Sequence, residues 1–175
     1  PAEVQRVTSA GYEAWLNDQL AVAPTFHLPV VQQLFVSNPP ATGNPQSQND
    51  RLDAWFRAAV NGPDPLRQKV AYALSQILVA SDVGALRTQP QALAFYYDAL
   101  VRHALGNFRD LLEDVTLSPA MGVYLSMLGN QKPDAARNIR PDENYAREVM
   151  QLFTIGLVQL NLDVTVKLTN GVSTP

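Results

Sequence analysis

The stretch "DPLRQKVAYALSQILVASD", residues 64–82, decides the fold class. Leu66, Val70, Ala73, Leu74, Ile77 and Leu78 recur at the i, i+4, i+7, i+8 spacing of one apolar stripe on a helix that turns about 100° per residue. Asp64 stands where an N-cap belongs, and Pro65 takes the first helical position, where a missing N–H costs nothing. The stretch reads as an amphipathic helix, and the rest of the chain repeats its grammar.

A second helix is expected from about Gln89 to Leu105, with Pro90 near its start and Leu93, Tyr97, Leu100, Val101 and Ala104 as its apolar face. Gly106 fits a helix stop, and Asn107 can cap the next helix, whose core face is Phe108, Leu111, Leu112 and Val115. In "SPAMGVYLSMLGN", Ser118 caps, Pro119 opens and Gly129 closes. Weaker helical patterns run from Tyr12 to Leu20 and from Arg51 to Val60. Residues 37–50 and 130–142 read as exposed polar connections, the second carrying Lys132, Arg137 and Arg140 on a solvated loop. After Asn161 the period changes: Val164, Val166 and Leu168 alternate ahead of Asn170-Gly171, a hairpin signal of which one half is expected to be missing. The reading is an all-α protein, an irregular array of about six or seven helices with a short strand-like C-terminal tail. Residues 1–161 form the helical domain, and residues 162–175 form a tail leading into a region beyond this chain.

Composition narrows the function classes. The 175 residues include no cysteine, which excludes disulfides, thiolate metal sites and a cysteine nucleophile within this chain. Thirteen basic and 16 acidic residues give a net charge of -3, so there is no electrostatic case for nucleic acid or an anionic membrane. Charged residues make up 17% of the chain, below the roughly 25% of ordinary soluble domains, as expected if part of the surface is covered by something else. No apolar run approaches the roughly 18 residues of a membrane span. No signal peptide is visible, and the abrupt start "PAEVQRV", without an initiator Met, reads as the edge of a truncated piece.

One helix stands apart. In "PDENYAREVMQLFTIG", residues 141–156, the polar residues Glu143, Asn144, Arg147, Glu148, Gln151 and Thr154 occupy an arc of roughly 140°, opposite Tyr145, Val149, Phe153 and Met150. The arc has no Lys, and Glu143 and Arg147 stand at the favourable i, i+4 spacing. Groups of fixed hydrogen-bonding geometry suit partial burial. Asn144, Arg147, Glu148 and Gln151 are therefore expected to form a structural network with Arg102 and Arg109.

This helix, with "LRQKVAYALSQILVASD" and "YYDALVRHALGNFRDLLEDVTLSPAMGVYLSMLGN", resembles the bacterial domain-of-unknown-function family 1800 from about Gly11 to Asn161. The resemblance implies that the chain is the N-terminal part of a longer, mostly helical protein that is exported or periplasmic. Such proteins are often encoded beside a second uncharacterised family similar to sulfatases and alkaline phosphatases. The remainder of the full-length chain and that sulfatase-like protein are the implied partners. The family brings no established catalytic residues. "LNLDVTVKL" departs from its usual Pro-Asp-Gly turn.

As catalytic groups, Glu148 and His103 are the candidates, because a carboxylate and an imidazole can share acid and base work where a pocket sets their pKa values apart. The competing role of Glu148 is an ion pair with an arginine, and that of His103 is a favourable cation at a helix C-terminus. His27 and His103 lie far apart in sequence, and no spacing of ligands suggests a metal. No phosphate loop, nucleophile elbow or cofactor motif is present. Of Tyr96 and Tyr97, which could stack on a sugar or base, Tyr97 belongs to the apolar stripe and reads as core. The reading that follows is an interaction or assembly module with no catalytic site, with homo-oligomerisation open. The alternative is part of a hydrolase-like enzyme working on the Asn144, Arg147 and Glu148 face.

Overall fold

Helices account for most of the protein, as the periodicity requires. The computed structural model describes residues 2–174, which fall into two compact units divided between Tyr124 and Leu125. Among the described residues there are eight α-helices, one 3-10 turn, one π-helical turn and one two-stranded antiparallel sheet.

The first unit contains α1 (Ala2–Ala21), α2 (Leu28–Ser37), α3 (Gln48–Asn61), α4 (Pro65–Ser75), a 3-10 turn at Gly84–Leu86, α5 (Pro90–His103), α6 (Phe108–Leu117) and α7 (Pro119–Tyr124). Helix α1 is two helical segments meeting at Gly11, whose φ of 85° only glycine adopts without strain. Helix α5 is the hub, and α2, α3, α4, α6 and α7 all pack on it. It can serve so many neighbours because Leu93, Ala94, Tyr96, Ala99, Leu100 and Val101 are buried on several sides of it. Small side chains at the crossings, Ala54 on α3 and Ala94 on α5, close around Val31 of α2. Asn107 caps α6 as expected, its side chain accepting the Arg109 N–H. Leu111 and Val115 point inward, while Phe108 stands 45% exposed.

Helix α4 forms where the opening stretch places it, but its buried face is rotated. Asp64, Gln68 and Ala71 are buried, whereas Ala73 lies in solvent, and the helix ends at Ser75, before the exposed Ile77 and the buried Leu78. Asp64 occupies the N-cap position without giving the cap hydrogen bond, and its Oδ2 instead accepts the Thr25 N–H. Ser118 likewise precedes α7, but its hydroxyl is buried and makes no hydrogen bond; the helix ends at Tyr124, before Gly129. Helix α2 was not expected at all.

The second unit contains α8 (Asn144–Met150), a π-helical turn (Gln151–Ile155), β1 (Leu168–Thr169) and β2 (Val172–Ser173). The regular helix ends after Met150, so the 100° wheel does not carry through to Thr154. The Thr154 hydroxyl donates to the Val149 carbonyl five residues back, within the widened turn. Tyr145 and Phe153 are buried and meet edge to face at 6.5 Å between centroids, while Met150 of the expected apolar face is exposed. The hairpin expected to lack a half is closed: Leu168 pairs with Ser173 and Thr169 with Val172. Asn170 and Gly171 both have positive φ, 55° and 78°, the combination a type I′ turn demands.

Candidate functional site

Two neighbouring features of the first unit gather the chemistry. One is a buried polar cluster at the start of α2. Asp98 of α5 is 4% exposed, and its carboxylate accepts the backbone N–H of His27 at 2.6 Å and of Leu28 at 3.0 Å. It thereby caps α2, whose own N-cap residue, His27, supplies no side-chain cap, and it places negative charge at the positive end of the helix dipole. Burial nevertheless dominates, and the Asp98 carboxyl is pushed up to about 6 against the pull of the two amides and of Arg102.

His27 is 1% exposed, and its Nε2 lies 3.0 Å from Gln68 Oε1. The Gln68 amide nitrogen donates to the Thr25 carbonyl at 2.9 Å and to Asp64 Oδ2 at 3.1 Å, so its oxygen must face the imidazole. That assignment makes His27 the donor through Nε2–H. Burial lowers the His27 pKa, with the Gln68 hydrogen bond opposing, so the ring is held neutral. Asp64 Oδ2 also accepts the Thr25 N–H at 2.9 Å. The cluster thus fixes the connection between α1 and α2 onto α4 and α5. Its imidazole proton and its carboxylate oxygens are engaged in that work, apart from Asp64 Oδ1, which has no partner.

The second feature lies beside it. Tyr97 stacks on His27, centroids 4.7 Å apart, and its hydroxyl accepts the Trp55 indole N–H at 2.9 Å. From there an open cleft of about 390 Å³ runs between α3, α4 and α5, walled by Trp55, Phe56, Tyr72, Tyr97, Leu52 and Val79. Trp55 meets Phe56 edge-on at 5.0 Å and Tyr72 at 5.8 Å. Three polar groups around the cleft are hydrogen-bonded within the protein. Arg51 binds Gln48 and Asp82 at 2.8 and 2.9 Å, Tyr96 donates to the Leu78 carbonyl at 2.6 Å, and Ser75 donates to the Tyr72 carbonyl. Tyr97, read from the sequence as core, is only partly buried and forms part of the cleft wall, while Tyr96 is buried.

The residues singled out in the sequence lie elsewhere. His103 ends α5, and its Nε2 is 2.7 Å from Asp114 Oδ2 on α6. Arg102 binds the same carboxylate at 3.3 Å and stands over the Phe26 ring at 5.6 Å. Arg109 is exposed at the first turn of α6. In the second unit Arg147 pairs with Glu143, both exposed, and Asn144, Glu148 and Gln151 are half-buried. The first turn of α8 is held by Asp142, whose side chain accepts the Asn144 N–H, while the Asn130 amide pairs with the Asp142 backbone in both directions. Lys132, Arg137 and Arg140 are exposed, Arg137 on Asp134 at 2.6 Å. Among the described residues no group of three or more His, Asp or Glu side chains converges as a metal site requires. No helix among them is long and apolar enough to cross a membrane.

Sequence reasoning missed both the cluster and the cleft. The bonds that tie the cluster to the start of α2 span 39 to 71 positions, the cleft joins residues 51–56, 72–81 and 93–97, and the sole local sign is a histidine two residues before a proline in "TFHLPV". Comparison with known proteins gives one match: the model of the family "Protein of unknown function (DUF1800)" matches residues 1–168. No curated protein and no solved structure matches the chain.

Proposed function

Because the chain belongs to the DUF1800 family of proteins of unknown function, we propose its role from its own surfaces: an interaction module that receives an apolar protein segment in the α3–α4–α5 cleft. The observation that carries this is the mismatch at the cleft between committed polar groups and open apolar ones. A site for a polar substrate keeps hydrogen-bonding groups aimed at its ligand. Here Arg51 is bound to Gln48 and Asp82, and the Tyr96 and Ser75 hydroxyls to backbone carbonyls, while Leu52, Phe56, Tyr72 and Val79 stand 42%, 58%, 50% and 41% exposed.

An exported location and a sulfatase-like partner belong to this proposal through the family resemblance.

Trp55 supplies the test, since Trp15→Phe leaves it the single tryptophan. Anilinonaphthalene sulfonate is expected to bind saturably and quench Trp55 emission, and Phe56→Asp in that background is expected to weaken binding by roughly tenfold. Equal dye affinity in the two proteins, both folded by circular dichroism, overturns the reading.

A further inference from the structure

Helix α3 carries its exposed apolar side chains in one row. Leu52, Phe56 and Val60, 42%, 58% and 74% exposed, follow at intervals of four and span about 12 Å along the helix. Phe56 forms the lip of the cleft, so a protruding aromatic ring and a cavity of about 390 Å³ lined by aromatic rings lie side by side on one surface. Next to the row run Asp53 and Arg57, joined at 2.7 Å, with side chains 44% and 58% exposed.

These features have the self-complementarity of an isologous contact. A twofold interface requires knob and hole in the same patch, because each copy must give what the other receives. Two antiparallel α3 helices meet that condition: Phe56 of each copy enters the cleft of the other, and Leu52 lies towards Val60 of the second copy. The reversal of direction also brings Asp53 of one copy to Arg57 of the other, twice per contact, so the charges beside the apolar row agree with the pairing.

We infer that the α3 face is the docking surface for a second copy of this chain, which pairs with it antiparallel about a twofold axis beside Phe56. The inference rests on the docking reading of the cleft and names its occupant.

Sedimentation equilibrium of the 175-residue chain tests it. The wild type is expected to pass from monomer to dimer with rising concentration, and Phe56→Asp to remain monomeric with an unchanged circular dichroism spectrum. Asp53→Arg alone sets like charges against each other across the axis, as does Arg57→Asp, and each is expected to weaken the dimer roughly tenfold or more. An equimolar mixture of those two variants restores opposite charges and is expected to form a heterodimer about as tight as the wild type. The exchanged double variant, Asp53→Arg with Arg57→Asp, regains the homodimer. A wild type that stays monomeric while dye still binds at Trp55 overturns the second copy and leaves the docking cleft standing. A monomer with no dye binding there overturns both. A dimer insensitive to Phe56→Asp, or single variants that do not complement when mixed, also overturns the antiparallel pairing.

Discussion

Asp98 holds the backbone amide of His27 at 2.6 Å across 71 positions of sequence, and by that bond one helix supplies the cap of another. The carboxylate is buried and raised from 3.8 to about 6, so the native state binds a proton more tightly than the unfolded chain does. The unfolded state binds fewer protons between those values, and this contribution to stability falls as pH rises from about 4 to 6, by about 3 kcal/mol in total. His27 acts in the opposite direction. Its pKa is lowered from 6.5, so its contribution is present above that value and is lost as pH falls below it. Asp98→Asn should flatten the first dependence and keep the second. Urea unfolding from pH 4 to 8 measures both, and an unchanged slope between pH 4 and 6 contradicts the assignment.

Gln68 ties the α1–α2 connection to the start of α4 through the imidazole of His27, the carbonyl of Thr25 and the carboxylate of Asp64. Gln68→Leu takes their partner from the His27 imidazole and the Thr25 carbonyl and leaves Asp64 Oδ2 only the Thr25 N–H, and it should cost about 2 to 4 kcal/mol, seen as a melting temperature several degrees lower. A loss below about 0.5 kcal/mol contradicts the account.

Arg147→Ala should leave the melting temperature within the error of the measurement. Its partner Glu143 lies one turn back on the same helix, with side chains 51% and 76% exposed, and such pairs contribute little. The sequence, which suggests partial burial of this arginine, leads one to expect a loss of several degrees. Calorimetry on the single variant distinguishes the two.

Gly62 sits where a β-carbon would come within 2.3 Å of the Ala58 carbonyl oxygen and 3.1 Å of Asp64 Oδ1. Its φ of -65° is ordinary, so the demand is for space and not for a special conformation. Gly62→Ala should therefore destabilise by about 1 to 3 kcal/mol and displace the Asp64 carboxylate, to be read from unfolding curves and from the Thr25 amide resonance.

What the sequence made legible was the helices with local grammar. Helices α5 and α6 carry apolar stripes that are mostly buried, and α6 has its own cap in Asn107, so residues within a few positions suffice to place them. Helix α2 escaped because Pro29 reads as a break and its cap comes from Asp98. On α4, a hydrophobic stripe was the wrong guide, since Asp64 and Gln68 can be buried once distant partners satisfy them, and no window of sequence contains those partners. The motif helix was legible as amphipathic but not in its length, because the π turn after Met150 shifts every later side chain around the axis. The cleft depends on Trp55, Tyr72 and Tyr97, each ordinary on its own helix.

The borrowed cap of α2 also orders events in time. Until α5 has formed and docked, the first N–H groups of this ten-residue helix have no carboxylate to receive them, and a helix of that length is marginal alone. Contacts between residues so distant in sequence close late and slow the approach to the native state. On a chain emerging from the ribosome, α2 should therefore stay unsettled until the segment through Asp98 has been made, and the aromatic wall that Tyr97 builds over His27 can be completed only then.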